Sequence, residues 1–206
     1  AKTFPDYFSR FEAVTRAVPV IAIDGPSASG KGTVAARVAA ALGFAYLDSG
    51  ALYRLTALAA KRGGVSWDDE AGVAALAAGL DARFAAGGIF LAGDEVSAGI
   101  RSEDISGGAS RVAAWPAVRA ALLFRQRAYA LAPGLVADGR DMGSVVFPGA
   151  ALKVFLTASA EVRAERRVKQ LTAAGVAADP QRIVADLKVR DARDSERSVA
   201  PLCQTD

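Results

Sequence analysis

Val20-Ile21-Ala22-Ile23-Asp24-Gly25-Pro26-Ser27-Ala28-Ser29-Gly30-Lys31-Gly32-Thr33 reads as a buried strand, a glycine-rich turn and the start of a helix. Val20 to Ile23 is a short apolar, β-branched run, as a strand covered on both faces requires. Gly25 and Gly30 permit a tight turn and a close approach of backbone to ligand. Successive backbone N–H groups of such a turn, backed by the positive end of a helix, form an anion nest. Pro26, Ser27, Ala28, Ser29, Gly32 and Thr33 complete the loop, and Lys31 is placed to reach the terminal phosphates of a nucleotide. The stretch therefore predicts a phosphate-binding loop. One feature departs from the standard pattern, in which Ser or Thr follows Lys directly. Here Gly32 intervenes, so the hydroxyl that ordinarily ligates Mg²⁺ is displaced to Thr33.

The rest of the composition narrows the chemistry. A chain of 206 residues with 52% hydrophobic residues suits one α/β domain with room for a small insertion. No apolar run approaches the ~20 residues of a membrane-spanning helix. The single cysteine, Cys203, excludes an internal disulfide, and a cytoplasmic location is expected. There is no histidine, which excludes Ser-His-Asp and Cys-His catalysis and His-ligated metals. The net charge is only +3, but lysine occurs at just six positions, so arginine dominates the 25 basic residues. Arginine is the side chain for bidentate grip on phosphate.

Outward from the loop, strands alternate with helices, which predicts a parallel, doubly wound sheet. A first helix spans 32–42, with Val34 and Val38 on one face and Gly43 as its stop. A strand follows at 44–47, then a helix entered through Asp48-Ser49-Gly50-Ala51-Leu52-Tyr53-Arg54. Ser66-Trp67-Asp68-Asp69 resembles a capping box before a helix to about residue 78. Short strand-like pieces at 80–84, 89–91 and 95–96 suggest a small antiparallel insertion. Residues 101–112 read as loop with one helical turn. Pro116 opens a long helix to about residue 131, and Leu135 to Ala137 is a buried strand. Residues 145–147 read as a short extended piece and 153–156 as a core strand. Ser159 caps a basic helix carrying Arg163, Arg166 and Arg167, which is either a lid edge or a solvated basic face. Pro180 opens a last helix to about residue 193.

Five separated blocks then resemble one family. Gly25 to Thr33, Leu47 to Arg54, Ala137-Asp138-Gly139-Arg140-Asp141-Met142-Gly143, Val146-Phe147-Pro148 and Arg190-Asp191-Ala192-Arg193-Asp194 are similar to bacterial cytidylate kinases, in order and across roughly residues 18–202. The Gly-Lys-Gly-Thr ending is itself a habit of nucleoside monophosphate kinases. The resemblance implies a P-loop NTPase-type parallel sheet flanked by helices. It also implies an NMP-binding insertion at about 76–113 and a lid at about 160–180. The implied reaction is transfer of the γ-phosphoryl group of ATP to CMP or dCMP, with Mg²⁺, by a monomer.

Residue by residue, the resemblance places Arg54 and Arg140 on the acceptor's phosphate, with Ser49 nearby. Ser110, Arg119 and Asp141 would read the base, since a carboxylate accepts from the exocyclic amine of cytosine that uracil lacks. Arg190, Asp194 and Arg197 match sugar- and phosphate-binding positions. Lys31, Arg140, Arg190 and Arg197 would carry catalysis by neutralising charge along the line of transfer. Asp138 would hold Mg²⁺ through water, with helix capping as its rival role. Two alternatives stand beside this reading: a P-loop kinase for UMP or another small acceptor, and, more remotely, a nucleic-acid binder suggested by the basic isoelectric point.

Both ends of the chain carry a further expectation. Residues 1–8, Ala-Lys-Thr-Phe-Pro-Asp-Tyr-Phe, resemble the chain end of EPSP synthases, which implies that 1–17 is the remnant or linker of a fused bifunctional chain. The cytidylate kinase pattern also continues some twenty residues past Leu202, so a last strand and helix are expected beyond Asp206.

Overall fold

In the computed structural model, residues 18–85, 88–173, 175 and 177–205 are described. The EPSP synthase-like segment lies outside them. The chain runs β1 (Val20–Asp24), α1 (Lys31–Leu42), β2 (Ala45–Asp48), α2 (Ser49–Arg62), α3 (Glu70–Ala78), β3 (Ala82–Ala85), β4 (Gly88–Leu91) and β5 (Asp94–Glu95). After a 3₁₀ turn at Gly99–Arg101 come α4 (Glu103–Val112), α5 (Pro116–Arg127) and β6 (Leu135–Gly139). A π-type turn at Met142–Val146 leads to β7 (Leu152–Phe155), α6 (Ala160–Ala173) and α7 (Pro180–Glu196).

The main sheet has the order β2-β6-β1-β7, with every pair parallel. β1 therefore sits inside the sheet, and both its faces must be covered. On one face Ile23 and Val136 pack on Ala35 and Ala39 of α1. On the other, Ala22, Leu135, Ala137 and Leu47 join the larger core built with α2 and α5. Alternate residues of one strand thus serve two cores, which explains its near-continuous apolar run. β3, β4 and β5 form the separate antiparallel sheet expected from the glycine-bounded pieces. Among the described residues no helix is long and apolar enough to cross a membrane.

Four local expectations are corrected. Residues 103–112 are not loop but the ten-residue helix α4, capped by Ser102, whose Oγ accepts from Ile105 N at 3.3 Å. Gly108 is a packing device: a Cβ there would stand 2.5 Å from the Trp67 ring. Residues 145–147 are not extended, because Asp24 binds the backbone N–H groups of Met142 and Gly143, both at 2.8 Å, and coils the chain there. Ser66 does not cap α3. Its Oγ accepts from Asp68 N, while Asp69 accepts from Gly72 N at 3.0 Å and starts the helix at Glu70. In α1 the inward face is Lys31, Ala35 and Ala39, whereas Val34 is exposed and Val38 only packs at the edge.

Candidate active site

The loop after β1 is shaped by contacts that only glycine tolerates. At Gly25, φ is +152° and a Cβ would fall 2.0 Å from the carbonyl oxygen of Leu156, at the end of β7. Gly30 has φ +95° and stands at the N-cap of α1 without any side-chain cap. By contrast, α2, α3, α4 and α7 are capped by Asp48, Asp69, Ser102 and Asp179. The first N–H groups of α1 are thus left for an anion. The loop's carbonyls are occupied instead: Pro26 O accepts from Lys31 Nζ at 3.1 Å, Ser27 O from Arg163 at 3.0 Å, and Ser29 O from Arg166 at 2.8 Å. Ser29 Oγ is buried without a hydrogen-bond partner.

Ser27 to Thr33 line one face of a cavity of about 1630 Å³, with Gly25 and Pro26 behind them. The same cavity gathers Ser49, Arg54, Ser110, Arg119, Asp138, Arg140, Asp141, Arg190, Asp194 and Arg197, which come from five separate stretches of sequence. Topology brings them there. The carboxyl ends of β1, β2 and β6 point at the cavity, while α4, α5 and α7 wall its far side.

Most of these cations are held by carboxylates. Arg54 pairs with Asp48 at 2.6 Å, and Asp48 also caps α2 at Ala51 N. Arg140 Nε donates to Asp194 at 2.7 Å. Burial would raise the Asp194 carboxyl, but Arg140, Arg190 and Arg197 outweigh it and hold it below the usual value. Arg119, itself buried, donates to Asp141 and to Ala113 O, and lies over the Tyr53 ring at 5.7 Å. Arg197 approaches the other Asp141 oxygen at 3.6 Å. Burial pushes the Asp141 carboxyl up, against the pull of Arg119 and Arg197.

Of Lys31, Arg54, Arg119, Arg140, Arg190 and Arg197, two have no carboxylate in ion-pair contact among the described residues: Lys31 and Arg190. Arg190 Nε is buried without a hydrogen-bond partner. Burial, then the charge of Arg140, brings Arg190 down to about 10 and Lys31 down to about 7. Arg190 also bears on Lys31 directly. Three positive groups from α1, the loop after β6, and α7 thus converge and repel one another, an arrangement that a polyanion would relieve.

Asp138 sits near the end of β6 opposite Ile23, buried, and accepts from Tyr46 Oη at 2.5 Å. Burial raises its carboxyl, Asp48 adds to this, and Lys31 opposes. Asp138 caps no helix. Among the described residues no three or more acidic or sulfur side chains gather as a metal cage. The donor set therefore fits a hard cation that keeps its waters and phosphate ligands, not one enclosed by protein.

Sequence reasoning missed Asp24, Tyr46, Tyr53 and Gln126. Asp24 fixes the turn that presents Arg140 and Asp141. Gln126 donates to Ser49 Oγ at 2.9 Å from within the core. Its helical spacing from Arg119 and Leu122 was the available signal, since all three are buried on one face of α5. Of the three arginines on α6, Arg163 is neither lid edge nor solvated face. It is buried and bound to Asp191, Ala158 O and Ser27 O.

Comparison with known proteins points the same way. The family model described as cytidylate kinase matches residues 21–206. A cytidylate kinase from Chromobacterium violaceum is 63% identical over 187 residues, covering 91% of this chain and 84% of the relative. One from Neisseria gonorrhoeae is 62% identical, with 90% and 85% covered. One from Bordetella pertussis is 58% identical, with 90% and 83% covered.

Proposed function

The chain belongs to the cytidylate kinase family, and we propose that its cavity takes ATP on the loop side and CMP or dCMP on the arginine side. The enzyme transfers the γ-phosphoryl group of ATP to the acceptor's phosphate, giving ADP and CDP or dCDP. The observation that carries the site assignment is the convergence of Lys31, Arg140 and Arg190, where burial and then the Arg140 charge bring both Lys31 and Arg190 down. The acceptor is a phosphate monoester, already nucleophilic, so a chain without histidine lacks nothing the reaction needs. What the reaction needs is alignment and neutralisation of charge.

In this reading the N–H groups of Ser27 to Thr33 cradle the donor's phosphates, and Lys31 follows the transferred group. Arg54, Arg140, Arg190 and Arg197 grip the acceptor's phosphate, and Asp194 holds Arg140 while accepting from the sugar. Asp141, kept in place by Arg119, accepts from the cytosine amine. Uracil would set a carbonyl against that carboxylate and leave a buried acceptor unpaired. Asp138, with Thr33 nearby in the loop, would hold Mg²⁺ through water. Bound there, the ion would neutralise the β- and γ-phosphate oxygens.

The arginines sit inside the cavity, mostly paired with carboxylates, and this does not favour the nucleic-acid reading. The test is ADP production from MgATP with CMP, dCMP, UMP and AMP as separate acceptors. Turnover with CMP and dCMP far above UMP and AMP is the expected result. Preference for UMP would keep the kinase and overturn the base-reading roles.

A further inference from the structure

The block Arg190-Asp191-Ala192-Arg193-Asp194 spreads its polar side chains over the whole site from one turn of α7. Arg190 faces the phosphate cluster, Asp191 holds Arg163, and Asp194 holds Arg140. Arg193 has no role in the reading above. Its Nη1 donates to Ser110 Oγ at 3.1 Å, bridging α7 to α4. Ser110 is 6% exposed and lines the cavity.

We propose that Arg193 is a specificity-determining positioning residue that fixes the Ser110 hydroxyl for reading the pyrimidine base. The proposal rests on the base-reading role of Ser110. A serine hydroxyl has one donor and two acceptor lone pairs, and its hydrogen rotates to suit its surroundings. An unrestrained hydroxyl therefore accommodates either a donor or an acceptor and discriminates poorly. A guanidinium can only donate, so Arg193 consumes one lone pair of Oγ, holds the serine side chain in place and polarises its O–H toward donating. Cytosine presents an acceptor at N3 beside a donor at N4. Uracil presents a donor at N3 beside an acceptor at O4. A hydroxyl already accepting from a guanidinium and biased toward donating favours the cytosine N3 acceptor over the uracil N3 donor; an unengaged one serves either. Arg193 reaches Ser110 through a side chain that does not itself line the cavity, so it acts through the serine and not on the substrate.

The experiment is a double-mutant cycle on the full chain, with Arg193→Met, Arg193→Lys, Ser110→Ala and Arg193→Met/Ser110→Ala. Each variant is assayed for kcat/KM with CMP and with UMP, for the KM of ATP, and for thermal unfolding. Arg193→Met is expected to lower the CMP-to-UMP ratio by about tenfold, through the KM of CMP, with the KM of ATP unchanged. Arg193→Lys, which keeps a cationic donor, should recover part of the ratio. In the Ser110→Ala background the Arg193 change should have no further effect on the ratio. A ratio unchanged in Arg193→Met, while Ser110→Ala lowers it, overturns the proposal alone and leaves Arg193 as a tie between helices. A ratio unchanged in Ser110→Ala overturns the base-reading role and this proposal with it. Should Arg193→Met not fold, Arg193→Lys with and without Ser110→Ala completes the same cycle, and additive losses overturn the proposal.

Discussion

Tyr46 and Asp138 are joined by a 2.5 Å hydrogen bond that lies directly over Gly32. A Cβ on Gly32 would stand 3.2 Å from Asp138 Oδ2 and 3.4 Å from the Tyr46 hydroxyl. The pair occupies the space beside the residue that follows Lys31, the position where the standard loop carries Ser or Thr. A larger side chain at this position would crowd the Tyr46–Asp138 pair, which favours the unusual glycine. Burial raises the pKa of both partners, and Asp48 adds to the effect on each. Tyr46→Phe removes the donor and leaves the ring. It is expected to lower kcat by roughly tenfold with little change in the KM of CMP, because one hydrogen bond to a buried carboxylate is lost. Steady-state kinetics decide this; an unchanged kcat would reduce Tyr46 to packing.

Lys31 is only 8% exposed, and burial followed by the Arg140 charge brings its ammonium down to about 7. Between about pH 7 and the ordinary value of 10.5, the unfolded chain holds a proton there that the folded chain does not. Stability should therefore rise with pH through that window, the burden of the buried charge being fully present below pH 7. ATP's phosphates reverse the balance and draw the proton back. At pH 8, nucleotide binding should take up a proton, seen by calorimetry in buffers of different ionisation enthalpy. Lys31→Met should abolish the uptake and lower kcat on the order of 10²- to 10³-fold. Proton-neutral binding by the wild-type chain would contradict the assignment.

Asp141 and Arg119 form a deeply buried ion pair, with side-chain exposures of 3% and 8%. Asp141→Ala leaves Arg119 buried beside Arg197 with no counter-charge, so a loss of roughly 3–5 kcal/mol is expected in denaturant unfolding. Asp141→Asn keeps the shape but adds an N–H₂ donor that suits the uracil carbonyl. It should cut the CMP-to-UMP preference at least about tenfold while the KM of ATP holds. Equal losses for both substrates would remove Asp141 from base recognition.

How much of this was legible follows from the range of the interactions. The strand, glycine loop and helix of residues 20–42 are set by neighbours in sequence, and they could be read directly. So could the parallel sheet, since an apolar β1 demands cover on both faces. The misread segments answer to distant partners. Gly107 and Gly108 look like loop until Trp67, some forty residues earlier, supplies the ring that Gly108 packs under. Val145 and Val146 have strand propensity, but Asp24 coils their turn from across the sheet. The cavity residues were recognised as blocks, yet their pairings were not. Nothing local ties Arg140 to Asp194 or Gln126 to Ser49, and these contacts arise only once α5 and α7 close on the sheet.

Arg163 offers the sharpest separation of support from chemistry. Its side chain is 4% exposed and makes a forked pair with Asp191 on α7. It also donates to Ala158 O at 2.9 Å and to Ser27 O at 3.0 Å. One guanidinium thus binds the phosphate loop, the start of α6, and α7 together. Lysine cannot reproduce a planar fork with this many directed donors. Arg163→Lys is therefore expected to cost roughly 2–4 kcal/mol in denaturant unfolding, since it breaks a largely buried pair while keeping the charge. On the proposed assignment the damage should fall on the donor half, because Ser27 belongs to the loop proposed to cradle ATP and no contact of Arg163 reaches the residues proposed to read the base. A several-fold rise in the KM of ATP, with the KM of CMP and the CMP-to-UMP ratio held, is the expected pattern. If the KM of CMP rose instead, the coupling would run through α7 to Arg190 and Asp194, and Arg163 would have to be counted with the acceptor side.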